Sequence, residues 1–344
     1  MRSIRFMLFF GVLLTLSSSV NAQQTGLEGK FSGLMFGDYY AVLSNHVPTF
    51  KNQNGFWFRR IYFTYDKPLS PAFTTRFRLE VNSAGDFGVT SVRMTPFVKD
   101  AYLKWTRTRH NIIFGLSPSP IFEISDRIWG FRSIEKSLGD LQRLAGSREF
   151  GIAFQGALDP GKKLIYHLMV GNGADSGSET DQEKKVSLSL AAVPTAGFTV
   201  EGYVDWEKRP GKKDRYTVQG LLGYERPKFR GAALFGRQTR KSGTAVAAAN
   251  IPYTSLFFSA KLASQVWGLA RFDRIFKPNP DGDKIPYIPF DKTAKSSLLI
   301  FGFDLLPVKD VHLMPNIVAV LYDGSVGPKP KNDLIARLTA YYTF

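Results

Sequence analysis

DLIARLTAYYTF, residues Asp333 to Phe344, closes the chain. Leu334, Ala336, Leu338, Ala340, Tyr342 and Phe344 fall on one face of an extended strand. Asp333, Arg337, Thr339, Tyr341 and Thr343 fall on the other, with Ile335 its only clearly apolar member. Strand side chains alternate at period two, so one face is apolar and the other polar. A run this long, with paired tyrosines just before a terminal aromatic, fits a strand that crosses an outer membrane. Such a strand needs about 9–11 residues, a lipid-facing apolar side and aromatics at the interface. The stretch reads as the closing strand of a transmembrane β-barrel, the strand by which barrel-assembly machinery would recognise the chain.

Working outward, sixteen strand-like segments follow the same rhythm, near 26–43, 55–67, 72–83, 95–107, 110–118, 147–158, 162–173, 183–193, 197–208, 213–226, 228–239, 252–263, 265–276, 295–307, 311–323 and 332–344. From the second segment onward, every other connection is tight, as at Lys67–Pro71, Thr108-Arg109, Asp159–Gly161 and Arg226-Pro227. The alternate connections read as longer and polar: 44–54, 84–94, 119–146, 174–182, 240–251, 277–294 and 324–331, with 209–212 the one short member. Short turns on one side and long loops on the other is the bacterial outer-membrane pattern, and an even strand count brings both termini to the short-turn side. No linker divides 23–344, which reads as one barrel domain of about 16 antiparallel strands.

One face carries charge in strand after strand. Thr74, Arg76, Arg78, Glu80 and Asn82 oppose Phe73, Thr75, Phe77, Leu79 and Val81. Asp100, Tyr102 and Lys104 oppose Ala101, Leu103 and Trp105, and Arg271 and Asp273 share a face with Trp267 and Leu269. Charges do not face lipid cheaply, and sixteen strands enclose an aqueous channel. The candidate pore-lining residues are therefore Arg60, Arg76, Arg78, Glu80, Asp100, Tyr102, Lys104, Arg271, Asp273 and Arg337. Residues 229–238 and 295–306 are ambiguous by alternation.

The connection 119–146 is the longest. Ile128, Phe131, Ile134, Leu138 and Leu141 recur at helical spacing, with Ser125 or Asp126 placed to cap the start and Gly130 and Gly139 weakening the run. Loops this long are functional or disordered, and this one is too apolar and periodic for disorder. It is expected to be partly helical, to fold into the lumen on its apolar face, and to turn Arg127, Arg132, Glu135, Lys136 and Arg143 toward the channel.

The first 22 residues, MRSIRFMLFFGVLLTLSSSVNA, have a basic start, a short apolar core and a small-residue cleavage site. This is the form of a secretory signal peptide, so the protein is expected in the outer membrane of a bacterial envelope. The 344-residue chain has no cysteine and a formal charge of +16. The leader carries two arginines and no acid, which leaves +14 on the mature chain. Excess positive charge suits anionic partners: small anions and lipid headgroups. The cations are spread through the strands without a nucleic-acid motif.

Several stretches resemble the phosphate-selective porins O and P: FRRIYFTYDKPLSPAFTTRFRLEV at 58–81, FVKDAYLKW at 97–105, FGLSPSPIFE at 114–123, FRSIEKSL at 131–138, SREFGIAFQG at 147–156 and YHLMVGNG at 166–173. The resemblance implies a sixteen-stranded, trimeric barrel with its third long loop in the lumen and passive diffusion of anions. It carries phosphate selectivity less well. Ser117-Pro118-Ser119-Pro120 stands where many relatives have a lysine, and Glu80, Asp100, Glu149, Glu201, Asp205, Asp273 and Asp333 share the inward faces with the cations.

Two other functional classes are compatible with a barrel of this kind. An outer-membrane hydrolase needs a serine, a histidine and an orienting group together, and His167 with Ser187 or Ser189 is the nearest arrangement. No nucleophile elbow accompanies it, and no H-x-x-x-H or H-E-x-x-H spacing suggests a metal. A closed structural or adhesive barrel would show the same alternation. Neither a cofactor nor a metal is expected.

Overall fold

The computed structural model describes residues 27–83, 93–243 and 248–344. The expected signal peptide at 1–22 and parts of the connections 84–94 and 240–251 lie outside the described residues. The fold is a closed antiparallel barrel in which every strand pairs with its sequence neighbours. The strands are β1 (Lys30–Ser44), β2 (Asn54–Pro68), β3 (Phe73–Asn82), β4 (Thr95–Arg107), β5 (His110–Pro118), β6 (Arg148–Ala157), β7 (Leu164–Gly171) and β8 (Lys185–Ala192). They continue with β9 (Phe198–Glu207), β10 (Arg215–Arg226), β11 (Phe229–Arg240), β12 (Ala249–Ala263), β13 (Val266–Ile275), β14 (Lys295–Val308), β15 (Val311–Asp323) and β16 (Asp333–Thr343).

The chain's last stretch closes the ring. β16 pairs with β1 from Leu34↔Thr343 to Ser44↔Leu334. Two further bonds extend the seam, Gly33 N–H to Phe344 O at 2.7 Å and Phe344 N–H to Gly33 O at 3.0 Å. A side chain at Gly33 would start 2.2 Å from the Phe344 ring, so this glycine makes room for the terminal aromatic. Closure leaves no free edge among the described strands.

The outward faces are apolar around the ring. Phe63, Phe114, Phe150, Val200, Leu222, Phe235, Phe258, Phe301 and Leu338 are all exposed. Exposed apolar surface of that extent suits a lipid environment and not water. On the short-turn side, Phe198 and Tyr224 (4.6 Å between ring centroids) and Phe229 form part of an aromatic girdle.

The apolar core lies inside the barrel. The connection 119–146 folds inward, and Ile128, Trp129, Phe131, Ile134, Leu138, Leu141 and Leu144 pack against Leu221, Leu234, Phe257, Leu269, Leu298, Ile300, Met314, Val318 and Ile335 on the inner wall. The ambiguity of 229–238 and 295–306 follows from this. Their inner faces are apolar because they carry the infolded loop, and their outer faces because they meet lipid.

Two expectations are corrected. Helix α1 spans Glu123–Trp129, starts before Ser125 without a side-chain cap, and stops at Gly130, which takes a left-handed φ of 69°. A 3-10 turn at Pro120–Phe122 leads into it, and beyond Gly130 the loop holds a short turn of helix, α2, at Leu138–Leu141. The connection 277–294 is also less polar than it reads, since Ile285, Tyr287, Ile288 and Phe290 are buried in the same core.

Candidate functional site

Alternation alone places Arg60 inside the barrel and its neighbour Arg59 outside. A β-bulge changes this. Phe36 pairs with Arg60 and Gly37 with Phe58, so Arg59 is the extra residue on β2. The same irregularity occurs on β4, where Arg78 pairs with Asp100 and Leu79 with Val98, so Lys99 is extra. An extra residue re-aims its strand's side chains. Arg59 and Arg60, and likewise Lys99 and Asp100, are all buried on the inner side. Counting in twos gave no signal for Arg59 or Lys99.

On the wall of β2–β6, two carboxylates, Glu80 and Asp100, each sit between two cations. Glu80 lies 3.1 Å from Arg60 and 3.0 Å from Lys99. Asp100 lies 3.0 Å from Arg78 and is also paired with Arg148. The infolded loop repeats the pattern, with Asp140 held by Arg132 and by Lys136 at 3.7 Å, and with Arg132 also 2.7 Å from Asp126. Wall and loop form one electrostatic cluster, because Asp140 feels Arg60 and Lys99 as well as its own partners. Arg60, Arg78, Lys99, Arg132, Lys136 and Arg148 face Glu80, Asp100, Asp126 and Asp140, an excess of two positive charges.

The loop groups are shifted by this setting. Burial, the largest influence, lowers Lys136 to about 8 with help from Arg60 and Arg132, against the pull of Asp140. Burial pushes Glu135 upward, but Arg59 and Arg337 outweigh it and bring the carboxyl down to about 2.

The candidate residues divide into two groups. Arg60, Arg78, Glu80 and Asp100 belong to the cluster just described. Arg76 pairs with Asp66 at 2.7 Å and lies over the Tyr102 ring, and Lys104 is half-buried on the same inward row. Arg271, Asp273, Arg337 and Glu135 lie elsewhere than expected: they face inward but are covered by the loop. Arg59 Nη2 sits 3.0 Å from Glu135 Oε1, and Arg337 Nη1 sits 3.4 Å from its Oε2. Arg271 donates to the Lys136 carbonyl at 2.5 Å and pairs with Asp273. These groups anchor the loop to the wall, because an inward charge beneath an apolar loop needs a partner there. Arg127 reaches Glu225 at 3.1 Å, and Arg143 donates to the Lys284 carbonyl at 2.9 Å.

Cavities flank the loop on both sides. One of about 370 Å³ on the long-loop side is lined by Lys136, Asp140, Arg143, Arg215, Asp281 and Lys284. One of about 430 Å³ on the short-turn side is lined by Glu123, Arg127, Gln155, His167, Ser189 and Thr199 among others. In the second, His167 Nδ1 lies 2.9 Å from Glu123 Oε2, while the Ser189 hydroxyl donates to Glu201 at 2.5 Å. Serine and histidine are thus committed to different carboxylates, and the nucleophile–base contact that a hydrolase requires is not made by this pair.

No protein-family model matches the chain. No curated protein sequence matches it either. Solved structures do. The anion-selective porin from Comamonas acidovorans aligns with a TM-score of 0.66 at 12% identity, covering 93% of this chain and 100% of that one. The outer-membrane channel DcaP of Acinetobacter baumannii aligns with 0.65 at 14% identity, over 93% and 98%. Salmonella typhi OmpF, solved with daunomycin, aligns with 0.66 at 12% identity, over 93% and 98%. At these identities the likeness concerns architecture, and the architecture is that of a porin-type barrel closed by sixteen antiparallel strands.

Proposed function

We propose that the protein is an outer-membrane porin, a water-filled channel for passive diffusion of small hydrophilic solutes with a modest preference for anions. The observation that carries the preference is the cluster beside the third loop, where Glu80, Asp100 and Asp140 are each bracketed by two cations and positive charge remains in excess. Two unit charges 4 Å apart interact by about 1 kcal/mol in bulk water and about 4 kcal/mol at an effective dielectric near 20. A few net charges at a narrowing therefore bias permeation by about an order of magnitude, less at high salt. One of the structurally similar proteins is an anion-selective porin, in keeping with this reading.

Phosphate is a candidate solute through the resemblance to the porins O and P, but each clustered cation already has a carboxylate partner. That supports graded selectivity over a tight phosphate site. The same resemblance suggests a homotrimer, and the signal peptide suggests export to the outer membrane. The test is conductance in planar bilayers with the reversal potential read under a salt gradient. Absence of conductance in correctly folded protein would favour the closed-barrel alternative, and cation selectivity would overturn the anion preference.

A further inference from the structure

Arg237 lies on the outer wall. Its strand neighbours Gln238 and Arg240 point into the lumen, where they reach the Leu144 carbonyl and Asp281. Arg237 therefore faces outward, and it is exposed. Directly beside it are Val218 on β10 and Pro252 on β12. Below it lies Phe235, and Val218 and Phe235 are 55% and 59% exposed. Among the described residues no carboxylate pairs with its guanidinium, and the connection 241–248 contains no acid.

Its height is fixed by the strand. Phe229, in the girdle on the short-turn side, is eight residues away on the same face of β11. At about 3.4 Å per residue and a tilt of about 40°, Arg237 stands roughly 21 Å higher along the barrel axis. An outer-membrane belt is about 25 Å tall. The guanidinium thus reaches the opposite headgroup layer, where a long basic side chain lifts its charge out of the hydrocarbon. Other basic groups continue along this rim. Arg274 on β13 bonds Ser297 and pairs with Asp323 at 2.8 Å, and the Lys241 ammonium donates to the Tyr216 hydroxyl at 3.1 Å. Among the described residues, Arg237 is the one of these three without a protein acceptor.

We infer that Arg237 and the neighbouring rim of β10–β14 bind the phosphate of a net-anionic lipid headgroup in the leaflet on the long-loop side. The inference rests on the membrane placement proposed above, and lipid supplies the charge that the protein wall leaves out. Retention of phosphatidic acid by the full chain in mixed micelles, counted by native mass spectrometry, tests it. Arg237→Gln is expected to lower retention about fivefold, the effect of one basic side chain at an anionic surface. Arg237→Lys is expected to keep most of it, and phosphatidylcholine should be held equally by all three proteins. Equal phosphatidic acid on wild type and Arg237→Gln would overturn the inference. The chain has no cysteine, so Val218→Cys places a single thiol beside Arg237. Disulfide-linked dimers of that variant in vesicles would show a second copy covering this face, which also overturns it. Lipid retention without conductance would count against the channel reading and leave this one standing.

Discussion

Arg59 and Arg60 are adjacent in the chain, yet both point into the barrel. The bulge opposite Gly37 gives them different tasks. Arg60 joins the charged wall through Glu80, while Arg59 reaches across to Glu135 and to the Ser133 carbonyl at 3.2 Å, fastening the infolded loop. One extra residue in β2 thus couples the position of the loop to the charge of the lumen.

Glu135 holds that fastening together. Its side chain is nearly fully buried between Arg59 and Arg337. Glu135→Gln takes the paired carboxylate from Arg337 and leaves Arg59 only Asp38, 3.7 Å away, and breaking a buried pair from one side costs about 3–5 kcal/mol. The barrel should still form, because its backbone ladder is untouched. The loop should loosen, giving noisier and larger single-channel currents. Quiet currents of wild-type size would show that the apolar packing of the loop suffices.

The excess of two positive charges predicts what removing two cations does. Arg78→Gln with Arg148→Gln leaves Asp100 without its partners and brings the cluster to balance. The chloride-to-potassium permeability ratio should fall to about one or below. A reversal potential equal to that of the unmodified protein would show that selectivity is set elsewhere in the lumen.

Lys136 predicts a pH dependence. Its amine titrates near 8, below the usual lysine value of 10.5. Its positive charge is present below that pH and is lost as pH rises through it. Anion preference should therefore decline between about pH 7 and 9, and Lys136→Arg should flatten the decline. An unchanged reversal potential over that range in the wild type would place the amine outside the selective region.

Gly37 predicts the mechanical side of the bulge. A Cβ at this position would start 2.4 Å from the Trp57 carbonyl oxygen. Gly37→Val should push β1 and β2 apart, withdraw Arg59 from Glu135, and lower the temperature at which the folded band is lost in a heat-modifiability gel. Wild-type thermal behaviour with undisturbed loop gating would mean the bulge tolerates a side chain.

The alternation of 333–344 determined much by itself. A strand has only two faces, so the terminal residues declared one for lipid and one for the lumen, and the rhythm of turns and loops extended that to sixteen strands. The inward direction of Arg60, Arg78, Glu80 and Asp100 was legible for the same reason. Tertiary structure decided the rest. Arg59 and Lys99 reach the lumen only because a bulge shifts the register by one residue, and such a shift depends on the neighbouring strand. Arg271, Asp273, Arg337 and Glu135 looked like channel charges because their strand faces and loop position suit water. The infolded loop covers them, and its resting place is set by packing against β10–β16, a set of contacts between residues far apart in the chain. Period two tells which side of the wall a residue is on; only the folded loop tells whether water or protein waits there.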